Sequence, residues 1–293
     1  MDRDKIAVSI KTCHGRPSLF WALQSIEFGL SNIDYRIYIA DEEPLDDWKP
    51  ELYRNLRDDG HHVEVHEQNI SCGAARNKLL TRLQDEKYVL RMDDDFELGG
   101  EFSIHAMIEA INVRDDVYFC SDYERQMGDN KGVRSGTLRP SGGTFSFKRK
   151  KLIKQFHSPF HSFNTRNGVR YTLAEHTRNL ILLKRSTFDH VTWNEALAFE
   201  GEHVDFMLSM REAEMKGVYT PDSIHYHRDD LAHYREGFSG YDKSERRGLD
   251  QMETELMKRW GVGEVITQYP VTWYAVEFSR RLIAKALRGS KVL

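Results

Sequence analysis

The sequence predicts an α/β fold with a mostly parallel central sheet flanked by helices, and three observations lead there. Apolar, β-prone runs alternate with helical patterns through the first hundred or so residues. Two of those runs, Tyr35–Ala40 and Tyr88–Met92, stop directly at acidic residues. No internal repeat, low-complexity tract or long apolar span breaks the pattern. Strands that alternate with helices build a largely parallel sheet covered on both faces.

Ile6–Ile10 reads as the first buried strand, and the loop Lys11–Pro17 leads into a helix over Ser18–Phe28 with Leu19, Ala22, Leu23 and Ile26 on one face. Tyr35–Ala40 is the second strand and ends at Asp41-Glu42-Glu43-Pro44. A short helix over Trp48–Asp58 and an alternating strand His62–His66 follow. Cys72–Leu83 has helical spacing, and Tyr88–Asp93 is the next strand. Ser103–Ile111 reads as helix and Val117–Cys120 as strand. From Arg125 to about Arg170 the glycines 128, 132, 136, 142 and 143 break up basic and aromatic residues, and the stretch reads as an irregular loop region of the kind that carries function. Leu180–Leu183 resumes a strand, and Val204–Met215 has helical spacing with Phe206, Met207, Met210 and Ala213 inward. Gly217–Pro221 punctuates the chain. Asp222–His227 then alternates as a strand with His225 and His227 on one side.

Hydrophobic residues make up 40% and charged residues 30% of the 293, which excludes extensive disorder. A net charge of −4 gives no whole-chain signal for a nucleic-acid partner. The charge is uneven, because Arg125–Lys154 holds nine Lys and Arg against the single acid Asp129, a patch that suits an anionic ligand. Cys13, Cys72 and Cys120 form no CxxC and are expected reduced, in keeping with a cytoplasmic setting. The first residues enter a strand without signal-peptide features, and no apolar run reaches the roughly 18 residues of a spanning helix. Trp273–Arg288 reads as a basic amphipathic helix that would dock on the domain or rest peripherally on the inner face of the membrane.

Chemistry is expected where the Tyr88 strand ends in Asp93, Asp94 and Asp95. Three adjacent carboxylates repel one another unless a cation joins them, and Mg2+ or Mn2+ with oxygen-rich coordination is the natural partner. A solvated acidic turn is the plainer alternative. An exposed pair His225 and His227 within reach of those acids would suit a metal ligand.

Ser71-Cys-Gly-Ala-Ala-Arg76-Asn77-Lys78, Tyr88–Asp95, Thr177–Arg185, and Gly201-Glu202-His203-Val204-Asp205-Phe206 followed by Pro221-x5-His227 together resemble family 2-like glycosyltransferases of the GT-A fold. They are most similar to the catalytic domain of β-1,4-N-acetylgalactosaminyltransferases of the ganglioside GM2 synthase type. The resemblance covers roughly residues 5–230 and implies a GT-A domain over residues 1–235, with 1–120 as the nucleotide-sugar half and 121–235 as the acceptor and catalytic half; the tail lies outside it and is expected to form a helical C-terminal extension over 236–293. It implies a UDP-sugar donor, with Thr12, Asp41, Arg76, Asp93 and Asp94 on the nucleotide-sugar side. Asp41 would contact the uridine, Arg76 would lie near the nucleotide and Asp93 near the ribose. Asp95 and His227 would hold Mn2+ or Mg2+, with Asp93 and His225 as lesser candidates.

An inverting transfer also needs a base for the acceptor hydroxyl. Relatives carry Glu-Asp where Glu202-His203 stand here, so Glu202, His203 and Asp205 are all candidates, with Glu202 favoured and Asp205 next. The acceptor is expected to be a glycan or glycolipid, and the basic segment suits an anionic one. Two other readings stay open. A sugar-nucleotide-binding or carbohydrate-binding protein of this fold without turnover is favoured by His203, and a nucleotidyltransferase lacks a triphosphate signature.

Overall fold

The computed structural model describes residues 5–13, 17–67, 70–128, 135–158, 161–178, 180–197, 201–228, 252 and 254–269. Strands β1 (Lys5–Lys11), β2 (Asp34–Glu42), β3 (His62–His66) and β4 (Tyr88–Asp93) pair in the order β3-β2-β1-β4, all parallel. β1 and β4 are near-continuous apolar runs because both of their faces are covered. Helices α1 (Ser18–Gly29) and α2 (Lys49–Asp58) connect the strands and share one core layer with α4 (Ile104–Ile111), through Leu19, Ile26, Tyr53, Met107 and Ile111. Helix α3 (Cys72–Leu80) lies in the opposite layer with α5 (Glu202–Glu212), through Ala75, Leu79, Phe206 and Met210. Ser71 caps α3 by accepting from the Ala74 backbone N–H at 3.0 Å.

Beyond β4 the sheet continues through β12 (Ile181–Lys184), β6 (Val117–Met127), β13 (Lys216–Arg228), β11 (Val169–Ala174) and β10 (Asn164–Arg166). β12 is antiparallel to both β4 and β6, and β6 is parallel to β13. The C-terminal ends of β1, β2, β4, β6 and β13 therefore reach one edge of the sheet, the edge at which open α/β sheets bind ligands.

Several boundaries differ from the sequence reading. Arg125–Arg170 is not one irregular loop, since it holds the end of β6, β7 (Leu138–Pro140), β8 (Gly143–Lys148), β9 (Lys151–Phe156), β10 and the start of β11. β8 and β9 form a hairpin, and β14 (Glu264–Gln268) joins β9 in parallel to make a second, three-stranded sheet. Phe145, Leu152 and Phe156 are its buried apolar positions, too few among the lysines to show a clear period. β6 runs on to Met127 because Ser121, Asp122, Glu124 and Gln126 are buried polar residues that an apolar pattern does not count. β13 passes through Pro221 by a register shift between Tyr219 and Ile224. α5 starts at Glu202, where Gly201 takes a φ of 82°, and stops short of Glu214, which takes a φ of 56°.

Within the expected extension 236–293, residues 254–260 are helical and lead to β14, with Leu256 and Val262 buried in the α3–α5 layer. The amphipathic helix expected over Trp273–Arg288 lies outside the described residues. Among the described residues no helix is long and apolar enough to cross a membrane, and the three cysteines are free thiols.

The contact of α3 with the loop 191–197 is unusually close. A Cβ on Gly73 would stand 2.3 Å from the Asn194 carbonyl oxygen and 2.8 Å from its carbon, and backbone cannot yield by changing rotamer. Gly73→Ala is expected to cost roughly 2 kcal/mol of stability. Urea unfolding would show this as a lower midpoint at unchanged slope; an unmoved midpoint would contradict so tight a contact.

Candidate active site

The acid triplet ends β4 and is divided between three tasks. Asp94 turns inward, where its Oδ2 accepts from the Thr12 hydroxyl at 2.6 Å, and both residues are buried. Asp95 is brought to β13 by a two-residue strand, β5 (Phe96–Glu97), which pairs antiparallel with Tyr226 and His227. The Arg228 N–H donates to the Asp95 carbonyl at 2.8 Å and fixes this register. His227 Nε2 consequently stands 3.7 Å from Asp95 Oδ2, and its Nδ1 stands 3.5 Å from Glu124 Oε1. Burial alone would lower the His227 pKa, but the carboxylates of Asp95 and Glu124 outweigh it and raise the pKa to about 10. Burial likewise opposes ionisation of Glu124, yet Arg178, His227 and Arg139 hold its carboxyl well below the usual range.

His225 and His227 flank the Phe96 ring, at 4.8 and 5.1 Å between centroids, as the alternation requires. The expectation of an exposed pair is corrected for His225. It is fully buried, with Nδ1 2.8 Å from Asp122 Oδ1, and so is enclosed as half of an internal pair.

Asp95 and His227 offer one oxygen and one nitrogen ligand side by side. Among the described residues no three His, Cys, Asp or Glu side chains converge on one point. The pair fits a divalent cation held jointly with ligand oxygens and water, the mixed coordination that Mg2+ and Mn2+ accept. Such a cation would take the place of the proton that two carboxylates now keep on His227.

Asp93 faces a second cluster. Its Oδ1 accepts from Arg76 at 3.2 Å and Arg91 at 2.9 Å, and both guanidinium groups lie over the Trp193 ring, at 5.3 and 5.7 Å. Asn77 fixes Trp193 by donating to its carbonyl at 2.9 Å and accepting from its N–H at 3.0 Å. Burial, with the Arg76 charge beside it, lowers the Arg91 pKa to about 10. Arg76 is 3% exposed, and its Nε and NH1 make no hydrogen bond within the described residues, so two buried donors are unspent beside the acid triplet.

The start of α5 meets the same cluster. His203 Nε2 lies 2.9 Å from Arg91 NH2 and 3.1 Å from Glu202 Oε1. An arginine only donates, so Nε2 accepts and the ring proton sits on Nδ1. Burial and the Arg91 charge push the His203 pKa well below its ordinary value and keep the ring neutral. Burial raises the Glu202 pKa to about 7 against the pull of Arg76 and Arg91. Glu202 therefore has a basicity matched to proton transfer near neutral pH.

Two further expectations are corrected. Asp41 is fully buried; its Oδ2 accepts from Lys49 at 2.9 Å and Tyr53 at 2.5 Å, and its Oδ1 from the Glu42 N–H at 2.8 Å. It braces the strand end and presents no surface to a uridine. Asp205 is also fully buried, with Arg259 at 2.6 Å and the Trp260 indole N–H at 2.8 Å on its two oxygens, so it fastens residues 254–260 to α5 and is unavailable as a base. The sequence reading missed Arg91, Asn77, Trp193 and Glu124. Arg91 carried a signal, being a charge at a buried position of an apolar strand; Glu124 carried none, since its strand was read as ending at Cys120.

A Rossmann-like sheet with carboxylates, arginines and a histidine at its C-terminal edge defines a GT-A-type glycosyltransferase domain. The sequence profile of Glycosyl transferase family 2 matches residues 22–175, more than half of the chain, and the chain belongs to that family. Among solved structures, GalNAc-T7 with UDP, GalNAc and Mn2+ superposes with a TM-score of 0.57 at 13% identity, over 77% of this chain and 44% of that one. The chain thus spans less than half the length of that relative. TarS residues 1–349 from S. aureus gives a TM-score of 0.49 at 10% identity, over 87% of this chain and 72% of that one. At 13% identity the likeness to GalNAc-T7 is one of fold. No curated protein matches the sequence.

The Glu202 environment has a pH signature. Its pKa rises from 4.5 unfolded to about 7 folded, so the fold favours the protonated acid. That contribution is complete below about pH 4.5, and about 3 kcal/mol of stability is lost as pH rises through 7. Glu202→Gln is expected to remove this loss, making the variant progressively more stable than the parent between pH 5 and 8 in denaturant titrations. Parallel pH profiles for the two proteins would contradict the assignment.

Proposed function

We propose that the chain transfers a sugar from a UDP-sugar to a hydroxyl of a glycan or lipid-linked saccharide, with Asp95 and His227 holding Mn2+ or Mg2+ on the donor diphosphate. The observation that carries this reading is the Asp95–His227 pair, 3.7 Å apart at the ends of β4 and β13. The fold likeness to GalNAc-T7, whose structure contains UDP, GalNAc and Mn2+, supports it. When bound, the cation would neutralise charge that builds on the diphosphate as its bond to the sugar breaks. UDP-GalNAc is the donor that the resemblance to β-1,4-N-acetylgalactosaminyltransferases suggests.

Arg76 binds the anionic donor through its two unspent donors. Arg91 and Trp193 fix its position, and Asp93 lies toward the ribose. The acceptor oxygen attacks the anomeric carbon, its proton passes to the Glu202 carboxylate, and the diphosphate leaves with the electron pair of the broken bond. A single displacement of this kind inverts the anomeric centre. His203, neutral and with its Nε2 engaged by Arg91, takes no proton.

A second reading, donor binding without turnover, is favoured by that same neutral His203 beside Glu202. Nucleotide release from a panel of UDP-, GDP- and dTDP-sugars with Mn2+ separates the two. Release from one donor is expected, abolished by EDTA and reduced roughly 100-fold in both Asp95→Asn and Glu202→Gln, with calorimetric donor binding retained in Glu202→Gln. Binding of a donor with no release, across acceptors, would establish the second reading; absence of any donor binding would sink both.

A further inference from the structure

The β8–β9 hairpin ends in Lys148-Arg149-Lys150-Lys151, with Lys148 directly opposite Lys151 across a two-residue turn. Two local rules are broken there. Arg149 takes a φ of 57°, in the left-handed region that two-residue hairpin turns usually fill with Gly, Asn or Asp. Like charges directly opposite on paired strands repel. All four side chains are exposed, and Lys148, Arg149 and Lys150 have no ion-pair partner among the described residues. Lys151 pairs with Glu264 of β14 at 2.5 Å. An Asn-Gly turn flanked by uncharged residues at 148 and 151 would close the same hairpin without either penalty, so the cations serve something outside the fold.

The tip is held firmly. The Gly263 N–H donates to the Lys150 carbonyl at 2.8 Å, and β14 lies along β9 from Lys151 to Gln155. Phe147, beside the tip, is 49% exposed, and the Arg211 guanidinium of α5 lies 5.1 Å over its ring, itself 3.6 Å from Glu175. At the far end of β9, Arg178 stacks 4.8 Å over Phe156 and reaches Glu124 at 3.7 Å, which links that end to the active site. Five residues of strand, about 17 Å, separate the two ends. The exposed run Ser146–Lys151 at a hairpin end makes a convex cationic surface, which matches a flat anionic plane better than a discrete ligand.

We propose that the β8–β9 tip docks the protein on an anionic lipid bilayer, with Lys148, Arg149 and Lys150 at the phosphate headgroups and Phe147 at the interface. The proposal stands apart from the sugar-transfer reading. Its test is co-sedimentation of the full chain with phosphatidylcholine vesicles, with and without phosphatidylglycerol, at low and high salt. Each cation near an anionic surface strengthens binding roughly fivefold. The parent is expected to bind the anionic vesicles alone and to release as salt rises. The variant Lys148→Ser/Arg149→Gly/Lys150→Ser is expected to bind about 100-fold more weakly, with an unfolding midpoint unchanged or higher because glycine relieves the turn. Equal binding to both vesicle types, or parent-like binding by the variant, would overturn the proposal. Capture by a soluble polyanionic glycan with no binding to vesicles would overturn it too and point to a polymeric ligand.

Discussion

The C-terminal edge of the sheet gathers carboxylates, and the structure depends on a cation standing beside several of them. Lys49 serves Asp41, Arg76 and Arg91 serve Asp93, and Arg139 and Arg178 serve Glu124. An ionised acid removed from water without such a partner would cost several kcal/mol. Asp95 stands beside His227, which is a cation only while it keeps its proton. On the proposed function, a divalent ion that arrives with a diphosphate would substitute for that proton.

Helix α5 joins the parts that surround this edge. Its first turn presents Glu202 and His203 to the arginine cluster, Asp205 behind them fastens residues 254–260, and Arg211 near its end covers Phe147 of the hairpin. Gly201, with its positive φ, sets where the helix begins and hence which side chains it delivers. Trp193 plays the matching role for the arginines, and the Asn77 amide, which grips both backbone groups of Trp193, ties that platform to α3.

β1, β2 and β4 were legible because each is an apolar run largely buried on both faces, the pattern a parallel sheet demands, and β3 was legible by its alternation. The nearness of Asp95 and His227 was legible only through the family resemblance, since 132 positions separate them and the short β5 that joins them has no sequence signal. Asp41 and Asp205 were misjudged for a common reason. A sequence displays a carboxylate but not the lysine, tyrosine, arginine or tryptophan that consumes it. The hairpin sheet was missed because strands with few apolar residues among many lysines lack a clear period.

On the proposed function, Asp95 and His227 trade a proton for a divalent cation when a nucleoside diphosphate is present. Electron paramagnetic resonance of Mn2+ titrated with the protein, with and without UDP, tests it directly. Mn2+ binding that strengthens with UDP, weakens as pH falls and is lost in His227→Ala is the result the structure predicts. Mn2+ binding indifferent to UDP, or retained at parent strength in His227→Ala, would contradict it.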